Sequence, residues 1–420
     1  MFEARFFSRQ AHSVSTRLVS LVGLILALNV AACSRNPAAA PQPPPPSQPS
    51  AVEPGVDTSK LGPRERPLFW TPEQQQAGYG HMDLIYPVRA IEHARQNSVA
   101  PFPLPVELRD LSKLQLPDAH SIDDFRTRFK IAGMLILKRG RILYEQYAHG
   151  HTATTRWTSW SVAKSVVSLL VGAAVKDGFI RLDARAAEYL PVLAEGSYAP
   201  VTVLQLMEMK TGVGWNEDYQ DPSSDVNNMA PALRGGTLAL ARSLGGKPRV
   251  AEPGERWNYN TGETYLLGAV LRGAIGNNLS SYLSRKVWSR FAMESDGYWM
   301  LDSEYGDEQS GCCLSATLRD YGRIGLFALR GGTLPDGTSV LPDAYMAQST
   351  QRKPPAPWYG RMWWLNDHSY SARGIFGQNI RIYPDDDLII VTHGLSKAPA
   401  ESFNYANRLF DGINEALKGK

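Results

Sequence analysis

Apolar residues recur with two different spacings along this chain, and each spacing occupies its own part of the sequence. Residues 132–147, AGMLILKRGRILYEQY, contain two apolar runs around Lys-Arg-Gly-Arg, which is the pattern of a β-hairpin. Residues 377–394, GQNIRIYPDDDLIIVTHG, repeat that pattern with Pro-Asp-Asp-Asp at the turn. We therefore expect antiparallel strands towards both ends of the folded part.

Between these hairpins, apolar residues repeat every three or four positions, as they do in amphipathic helices, and each repeat ends near glycine. The segments concerned are residues 161–178, 201–212, 263–276 and 315–332, and residues 401–420 give a final amphipathic helix. This order predicts an α+β fold. Its antiparallel sheet is built from both termini, with flanking helices and an inserted helical lobe.

The start of the chain has the features of an export signal. Residues 1–32 combine a basic beginning with an apolar run that is short for a membrane span. They end in Val-Ala-Ala before Cys33, which resembles a lipobox, so we expect lipidation at Cys33 and an exported lipoprotein at the periplasmic face of the outer membrane. An ordinary signal peptide that happens to end at a cysteine is the alternative.

Residues 33–60 are expected to form a tether between the lipidated cysteine and the folded part. They include SRNPAAAPQPPPPSQPSAVEPG, which is rich in Pro, Ala and Ser and has few bulky apolar residues to bury. Residues 61–420 then form the folded domain. Membrane attachment is expected through Cys33.

Charge and cysteine content exclude several classes of protein. The net charge is +3, and residues Arg5, Arg9 and Arg17 against Glu3 account for two of these charges, so no nucleic-acid partner is expected. Beyond Cys33 the only cysteines are Cys312 and Cys313, and adjacent cysteines do not suggest a disulfide scaffold. No Cys/His spacing typical of zinc occurs, and we expect neither metal nor cofactor.

One Ser-x-x-Lys sequence occurs in the chain, at Ser161 and Lys164. Thr158 or Ser159 is expected to cap a helix, which places Ser161 in its first turn and Lys164 on the same face one turn later. A lysine whose pKa is lowered by burial can accept the serine proton. The helix N-terminus also favours a developing oxyanion.

Four further segments resemble the β-lactamase-related serine hydrolases. Residues 253–271, PGERWNYNTGETYLLGAVL, are similar to the second signature region of that family, with Tyr259 as its tyrosine and Thr261 two positions later. Residues 312–325 resemble the family's Leu-x-Ala-Thr-x-Arg-Asp-x-x-Arg-x-Gly helix, and residues 71–87 and 358–365 are also similar. This superfamily includes class C β-lactamases and family VIII esterases, and the pattern here is most similar to 6-aminohexanoate-dimer hydrolase-like proteins.

The resemblance implies a β-lactamase/transpeptidase-like fold and the hydrolysis of small amides or esters through an acyl-enzyme. Ser161 is then the nucleophile, Lys164 the base, and Tyr259 a phenol that relays the proton between serine and leaving group.

In the family, the third signature lies on a strand beside the nucleophile helix. Two tripeptides of this chain have the sequence of a family signature but lie at other positions. Lys210-Thr211-Gly212 is expected to end the helix at 201–212, with Gly212 at its C-cap, and Tyr405-Ala406-Asn407 lies within the final helix. Neither is expected to be catalytic.

Residues 370–378 instead occupy the third position, where Gly374 and Ile375 are expected to form the oxyanion strand. This stretch lacks Lys-Thr-Gly, which argues against an efficient β-lactamase. Arg373 could replace the missing positive charge, or it could simply be solvated.

Candidate substrate contacts lie in the acidic loop after the second helix. In relatives of the oligomer-hydrolase type, a tyrosine and an acidic residue in this region contact the substrate. Tyr219, Asp221 and Asp225 are the candidates here, together with Thr261 and Arg373. A solvated acidic loop is the alternative interpretation.

Three other functions compete with an amidase or esterase. A β-lactamase or a D-Ala-D-Ala peptidase uses the same residues, and a lipid-anchored cell-wall-binding protein could keep the fold without turnover. An α/β-hydrolase is excluded because no Gly-x-Ser-x-Gly occurs. The sequence leaves the oligomeric state open.

Overall fold

Both predicted hairpins lie in one sheet of the computed structural model, which describes residues 56–94, 102–111, 114, 116 and 120–419. The expected signal peptide and the lipidation site at Cys33 lie outside the described residues, as does most of the 33–60 tether.

The described strands are β1 (Val88–Ile91), β2 (Ile131–Lys138), β3 (Arg141–Tyr147), β4 (Trp157–Thr158), β5 (Gly297–Met300), β6 (Leu314–Ala316), β7 (Trp364–Leu365), β8 (Tyr370–Gly374), β9 (Gln378–Tyr383) and β10 (Leu388–Gly394). The described α-helices are α1 (Pro72–Gly78), α2 (Ile122–Arg128), α3 (Val162–Lys176), α4 (Val203–Met207), α5 (Asp225–Asn228), α6 (Ala230–Arg234), α7 (Gly236–Gly245), α8 (Thr261–Ile275), α9 (Leu279–Leu283), α10 (Leu318–Leu329), α11 (Tyr345–Ser349) and α12 (Pro399–Ala416).

The larger sheet has six strands in the order β3-β2-β10-β9-β8-β7, and neighbouring strands are antiparallel. The turn between β2 and β3 consists of Arg139 and Gly140, whose φ angles of 50° and 71° suit a type I′ hairpin. Strand β10 pairs with β2, so the early hairpin and the late hairpin join directly. This confirms the expected sheet built from both ends of the domain.

A second sheet of four strands, in the order β1-β5-β6-β4, was not predicted. Its strands are only two to four residues long, too short for alternating apolar positions to reveal them. It matters for function because β4 leads directly into the turn that carries Ser161.

The two faces of the larger sheet carry separate apolar cores, because side chains alternate along each strand. Leu135, Leu137 and Val391 belong to the core that includes α3, α8 and α10. Met134 and Ile390 point to the other face and pack with α2 and α12. The predicted helices at 161–178, 201–212, 263–276, 315–332 and 401–420 are all present in this arrangement.

Within the described ranges, no helix combines the length and apolar character needed to cross a bilayer. The same residues contain no group of three or more His, Cys, Asp or Glu side chains placed to hold a metal ion.

Candidate active site

Ser161 lies where β4 turns into helix α3. The helix begins at Val162, so Ser161 itself is the N-cap residue, and the prediction that Thr158 or Ser159 caps it was wrong. Ser159 Oγ instead donates to the Trp160 carbonyl and accepts a backbone N–H from β6. Trp160 has a φ of 46°, which is rare for a bulky residue. The turn places Ser161 at the positive end of the helix dipole.

Lys164 reaches back along the first turn of α3 to Ser161. Its Nζ donates to Ser161 Oγ over 3.0 Å and to the Gly311 carbonyl over 2.7 Å. The lysine is 1% exposed. This burial lowers the pKa of Lys164 to about 8, and the negative charge of Glu217 opposes the shift. A lysine in this state can lose its proton near neutral pH and act as a base.

The Gly311 carbonyl belongs to the segment before β6, which also carries the adjacent cysteines. Cys312 and Cys313 form a disulfide, a bridge that sequence reasoning did not anticipate. Gly311 has no room for a side chain, because an added Cβ would lie 2.6 Å from the Tyr265 ring. The segment therefore presents a bare backbone carbonyl to Lys164.

Tyr259 lies in the loop that leads into α8, and its ring covers Lys164. The Nζ atom is 5.3 Å from the ring centroid. Burial and the negative charge of Glu217 raise the pKa of the Tyr259 hydroxyl, while its hydrogen bond with the Ser161 side chain lowers it. The hydroxyl stays protonated at neutral pH and lies close enough to Ser161 to exchange a proton.

Backbone contacts hold this tyrosine loop against the segment that follows α4. The Asn258 N–H donates to the Met209 carbonyl over 3.0 Å, and the Asn258 side-chain amide donates to the Trp215 carbonyl over 3.0 Å. Asn260 caps α8 by accepting the Glu263 N–H over 3.0 Å. The loop is therefore fixed from both ends, which limits the positions that the phenol can take.

A carboxylate that sequence reasoning missed lies behind this group. Glu217 accepts the Tyr219 hydroxyl over 2.6 Å, the Thr261 N–H over 2.9 Å, the Thr261 hydroxyl and an indole N–H. Its negative charge raises the pKa of both Lys164 and Tyr259. In the sequence Glu217 is one acid of a polar loop, and only its contact with Thr261, 44 residues later, distinguishes it.

Ser161 lines a cavity of about 710 Å³. Three of the predicted residues line it, namely Tyr219, Thr261 and Ile375. Much of the remaining wall is apolar and includes Leu68, Phe69, Met229, Leu233, Met300 and the two bridged cysteines. The cavity can hold a small organic substrate with a largely apolar body.

The proposed third-signature strand, β8, runs beside the start of α3. Gly374 at its end approaches the serine turn so closely that an added Cβ would lie 2.6 Å from the Ser159 carbonyl. Ile375 follows in the turn to β9 and lines the cavity with Ser161. Ile375 and Ser161 therefore face the same cavity.

The other candidate contacts lie outside the cavity wall. Asp221 accepts the N–H and the hydroxyl of Ser223 over 2.8 Å and 2.6 Å, which closes a local turn. Asp225 forms an ion pair with Lys247. Arg373 donates to neighbouring polar side chains, one of them on its own strand over 2.9 Å. In this structure these three residues shape the surrounding scaffold.

Lys210 and Thr211 of the Lys-Thr-Gly tripeptide at 210–212 contact acidic side chains of the surrounding scaffold. Helix α4 ends before Glu208, which is its C-cap, so the prediction that Gly212 occupies that position was wrong. Lys210 Nζ donates to the Glu208 carboxylate over 3.1 Å, and the Thr211 hydroxyl donates to the buried Glu263.

The Tyr-Ala-Asn tripeptide at 405–407 lies in α12, which packs on the face of the larger sheet opposite to α3. Tyr405 is buried there, and its hydroxyl donates to Asp124 over 2.7 Å. Asn407 accepts a hydrogen bond from Arg381 of β9. Both residues lie at the interface between α12 and its neighbours, on the sheet face opposite to α3.

Residues 120–410 match the family described as Beta-lactamase. Over 390 residues the chain is 27% identical to the 6-aminohexanoate-dimer hydrolase of Paenarthrobacter ureafaciens, which covers 87% of this chain and 93% of that protein. A solved Bacillus anthracis protein, described as a candidate 6-aminohexanoate-dimer hydrolase, gives a TM-score of 0.72 at 22% identity and covers 88% of this chain and 99% of that one. A penicillin binding protein from Bacillus halodurans gives a TM-score of 0.53 at 17% identity, covering 69% and 99% respectively. These structural likenesses concern the fold.

Proposed function

Since this chain belongs to the beta-lactamase family, we propose that it is a serine hydrolase that cleaves amide or ester bonds through an acyl-enzyme on Ser161. The observation that carries this proposal is the 3.0 Å contact between Nζ of the buried Lys164 and Oγ of Ser161, the residue that lines the cavity. Burial lowers the pKa of that lysine to about 8, which favours transfer of the serine proton.

In the acylation step, Ser161 Oγ attacks the substrate carbonyl while its proton passes to the neutral Lys164 amine. The Tyr259 hydroxyl relays a proton to the leaving amine or alcohol. The N–H groups of Ser161 and Ile375 bind the oxyanion, with support from the α3 dipole.

In the deacylation step, a water molecule attacks the acyl carbonyl from the cavity. Lys164 and Tyr259 remove its proton and return one to Ser161 Oγ, which restores the free enzyme. Glu217 contributes by fixing Tyr219 and Thr261, two residues of the cavity wall, through hydrogen bonds.

We propose short linear amides or esters with an apolar body as the substrate class. The relationship to a 6-aminohexanoate-dimer hydrolase and the apolar part of the cavity wall both favour this class. A β-lactam is disfavoured because β8 carries no Lys-Thr-Gly, and Arg373 is engaged by Ser371 over 2.9 Å. A D-Ala-D-Ala peptidase and a cell-wall-binding protein without turnover are the remaining alternatives.

The first test is covalent labelling of the full chain with a fluorophosphonate. In separate samples, the chain is incubated with a p-nitrophenyl ester, a linear amide dimer or a β-lactam, and intact mass shows whether an acyl group is attached. We expect labelling and turnover of the ester or amide, both lost in Ser161→Ala with little change in Tm. Ser165→Ala is the matched control, because Ser165 lies on the same helix and its Oγ donates to the Met362 carbonyl over 2.6 Å. Absence of labelling in the folded wild-type chain would refute the proposal.

We also propose that Cys33 carries a lipid anchor and that the protein faces the periplasm from the outer membrane. The support is the lipobox-like sequence before Cys33 and the Pro/Ala-rich tether after it. Cys33→Ser should give an exported protein that is released in the soluble fraction. Retention of that variant in membranes after a carbonate wash would contradict the anchor.

A further inference from the structure

The disulfide between Cys312 and Cys313 lies in the cavity wall, next to the carbonyl group that holds Lys164. Cys312 is half-buried and, like Cys313, lines the cavity shared with Ser161. The Gly311 carbonyl, one residue earlier, accepts the Lys164 ammonium over 2.7 Å. The bridge therefore lies within two residues of the main-chain group that positions the proposed base.

Hydrogen bonds fix the backbone on both sides of Gly311. Ser310 Oγ donates to a carbonyl of α8 over 2.9 Å, and the Trp299 indole donates to the Cys312 carbonyl over 3.0 Å. The Cys313 carbonyl accepts a backbone N–H from β5 over 3.0 Å. The Gly311 carbonyl belongs to the planar peptide unit that joins Gly311 to Cys312, so its orientation depends on the backbone conformation of Cys312.

Cys313 has a φ of 74°, a left-handed conformation that is unfavourable for residues other than glycine. The bond between the two side chains closes a small ring across the intervening peptide, and this ring restrains the backbone at Cys313. After reduction no covalent ring restrains it, and two unbonded sulfur atoms must separate to van der Waals contact. Both changes move the chain beside Gly311.

Resting on the proposed function, we propose that this disulfide positions Lys164 through Gly311, so that Ser161 acylates quickly when the bridge is closed and slowly after a dithiol has reduced it. A thiolate of the dithiol reaches Cys312 Sγ through the cavity and attacks it, which breaks the bond to Cys313 Sγ. The second thiol of the reagent then displaces Cys312. Two electrons and two protons pass from the dithiol to the cysteines, and the reagent leaves as a cyclic disulfide.

The experiment compares the full chain in its oxidised form with the same protein reduced by dithiothreitol. Alkylation followed by intact mass counts the free thiols, and the fluorophosphonate labelling time course gives the rate constant for phosphonylation of Ser161 and the binding constant of the probe separately. We expect reduction to lower the phosphonylation rate constant on the order of 10- to 100-fold, as for small misplacements of catalytic groups, with a smaller change in binding. Reoxidation should restore the rate.

Two variants locate the effect. Cys33→Ser removes the only other cysteine and should keep the full response to dithiothreitol. Cys313→Ser cannot form the bridge and should label slowly with or without the reductant. Circular dichroism must show that reduced wild type stays folded, and global unfolding on reduction would contradict a local positioning role.

The outcomes separate this inference from the function on which it rests. Equal phosphonylation rate constants for wild type with the bridge closed and with both thiols free would overturn the inference and leave the serine hydrolase intact. Absence of labelling in both the oxidised and the reduced protein would refute the proposed function and this inference with it.

Discussion

Lys164 and Lys210 are both buried, and both belong to short sequences that match signatures of the family. The groups that they contact differ in charge. Lys164 Nζ contacts the Ser161 hydroxyl and a backbone carbonyl, both neutral oxygen atoms. Lys210 Nζ contacts the Glu208 carboxylate over 3.1 Å and another carbonyl over 3.4 Å. Burial among neutral oxygens favours the free amine of Lys164, whereas Lys210 forms an ion pair with Glu208. The two lysines therefore differ in their surroundings although both belong to family-like tripeptides or spacings.

The two tyrosines of the signatures differ in the same way. The Tyr259 hydroxyl faces Ser161 in the cavity region, while the Tyr405 hydroxyl donates to the Asp124 carboxylate at a helix interface. A phenol bound to a carboxylate in the scaffold has no substrate to protonate. The tripeptides alone give no indication of this contrast.

Replacing each lysine by methionine should give the largest separation between the two regions. Lys164→Met should lower kcat/KM on a working ester or amide by roughly 10³-fold or more, because the proton acceptor of Ser161 is lost. Lys210→Met should keep kcat/KM near wild type. Its cost should instead appear in denaturant unfolding as roughly 1–3 kcal/mol, because Glu208 loses its buried partner.

Equal losses of kcat/KM in the two folded methionine variants would show that the active site was assigned to the wrong signature. The fluorophosphonate labelling rate gives the same comparison without requiring knowledge of the natural substrate.

The tyrosines provide the next effect in size. Tyr259→Phe should lower kcat/KM by about 10²- to 10⁴-fold, because one hydroxyl placed to move protons is removed. Tyr405→Phe should leave kcat/KM unchanged and cost about 0.5–1.5 kcal/mol of stability through the lost hydrogen bond. Both substitutions delete a single oxygen, so steady-state kinetics and thermal melts of the pair are directly comparable. A fully active Tyr259→Phe would remove the phenol from the mechanism.

Sequence reasoning succeeded where a feature depends on neighbouring residues. The Ser161–Lys164 spacing requires only one helical turn, and the two hairpins follow from apolar runs around a turn. The start of the helix at Val162 was less accurately predicted, because Ser161 itself occupies the N-cap position and makes no side-chain capping hydrogen bond.

Features that depend on distant residues were not predictable in this way. The Gly311 carbonyl meets Lys164 from 147 residues away, and Glu217 meets Thr261 across 44 residues. These contacts cannot be predicted from periodicity or local spacing, because they form only when α8 and the segment before β6 pack on α3. For the same reason, the amino-acid sequence of the tripeptide at Lys210 does not by itself exclude a catalytic role.

The smallest expected effect is a shift in the pH dependence of kcat/KM when the negative charge of Glu217 is removed. Since burial lowers the pKa of Lys164 to about 8, kcat/KM should rise with pH and level off once the amine is neutral. The negative charge of Glu217 stabilises the ammonium form and so raises the pKa of Lys164. Glu217→Gln removes that charge, and the acid limb of the kcat/KM profile should therefore move to lower pH.

Asp225→Asn is the matched control for this shift, because it neutralises a nearby acid, the first residue of α5, that is paired with Lys247. Its acid limb should stay at the wild-type position. Glutamine also places an amide N–H₂ beside groups that donate to Glu217, such as the Tyr219 and Thr261 hydroxyls, so the plateau value should fall modestly. The midpoint and the plateau are measured in one pH profile and separate charge from geometry. A midpoint that stays in place or moves upward in Glu217→Gln would show that the titrating group is not Lys164.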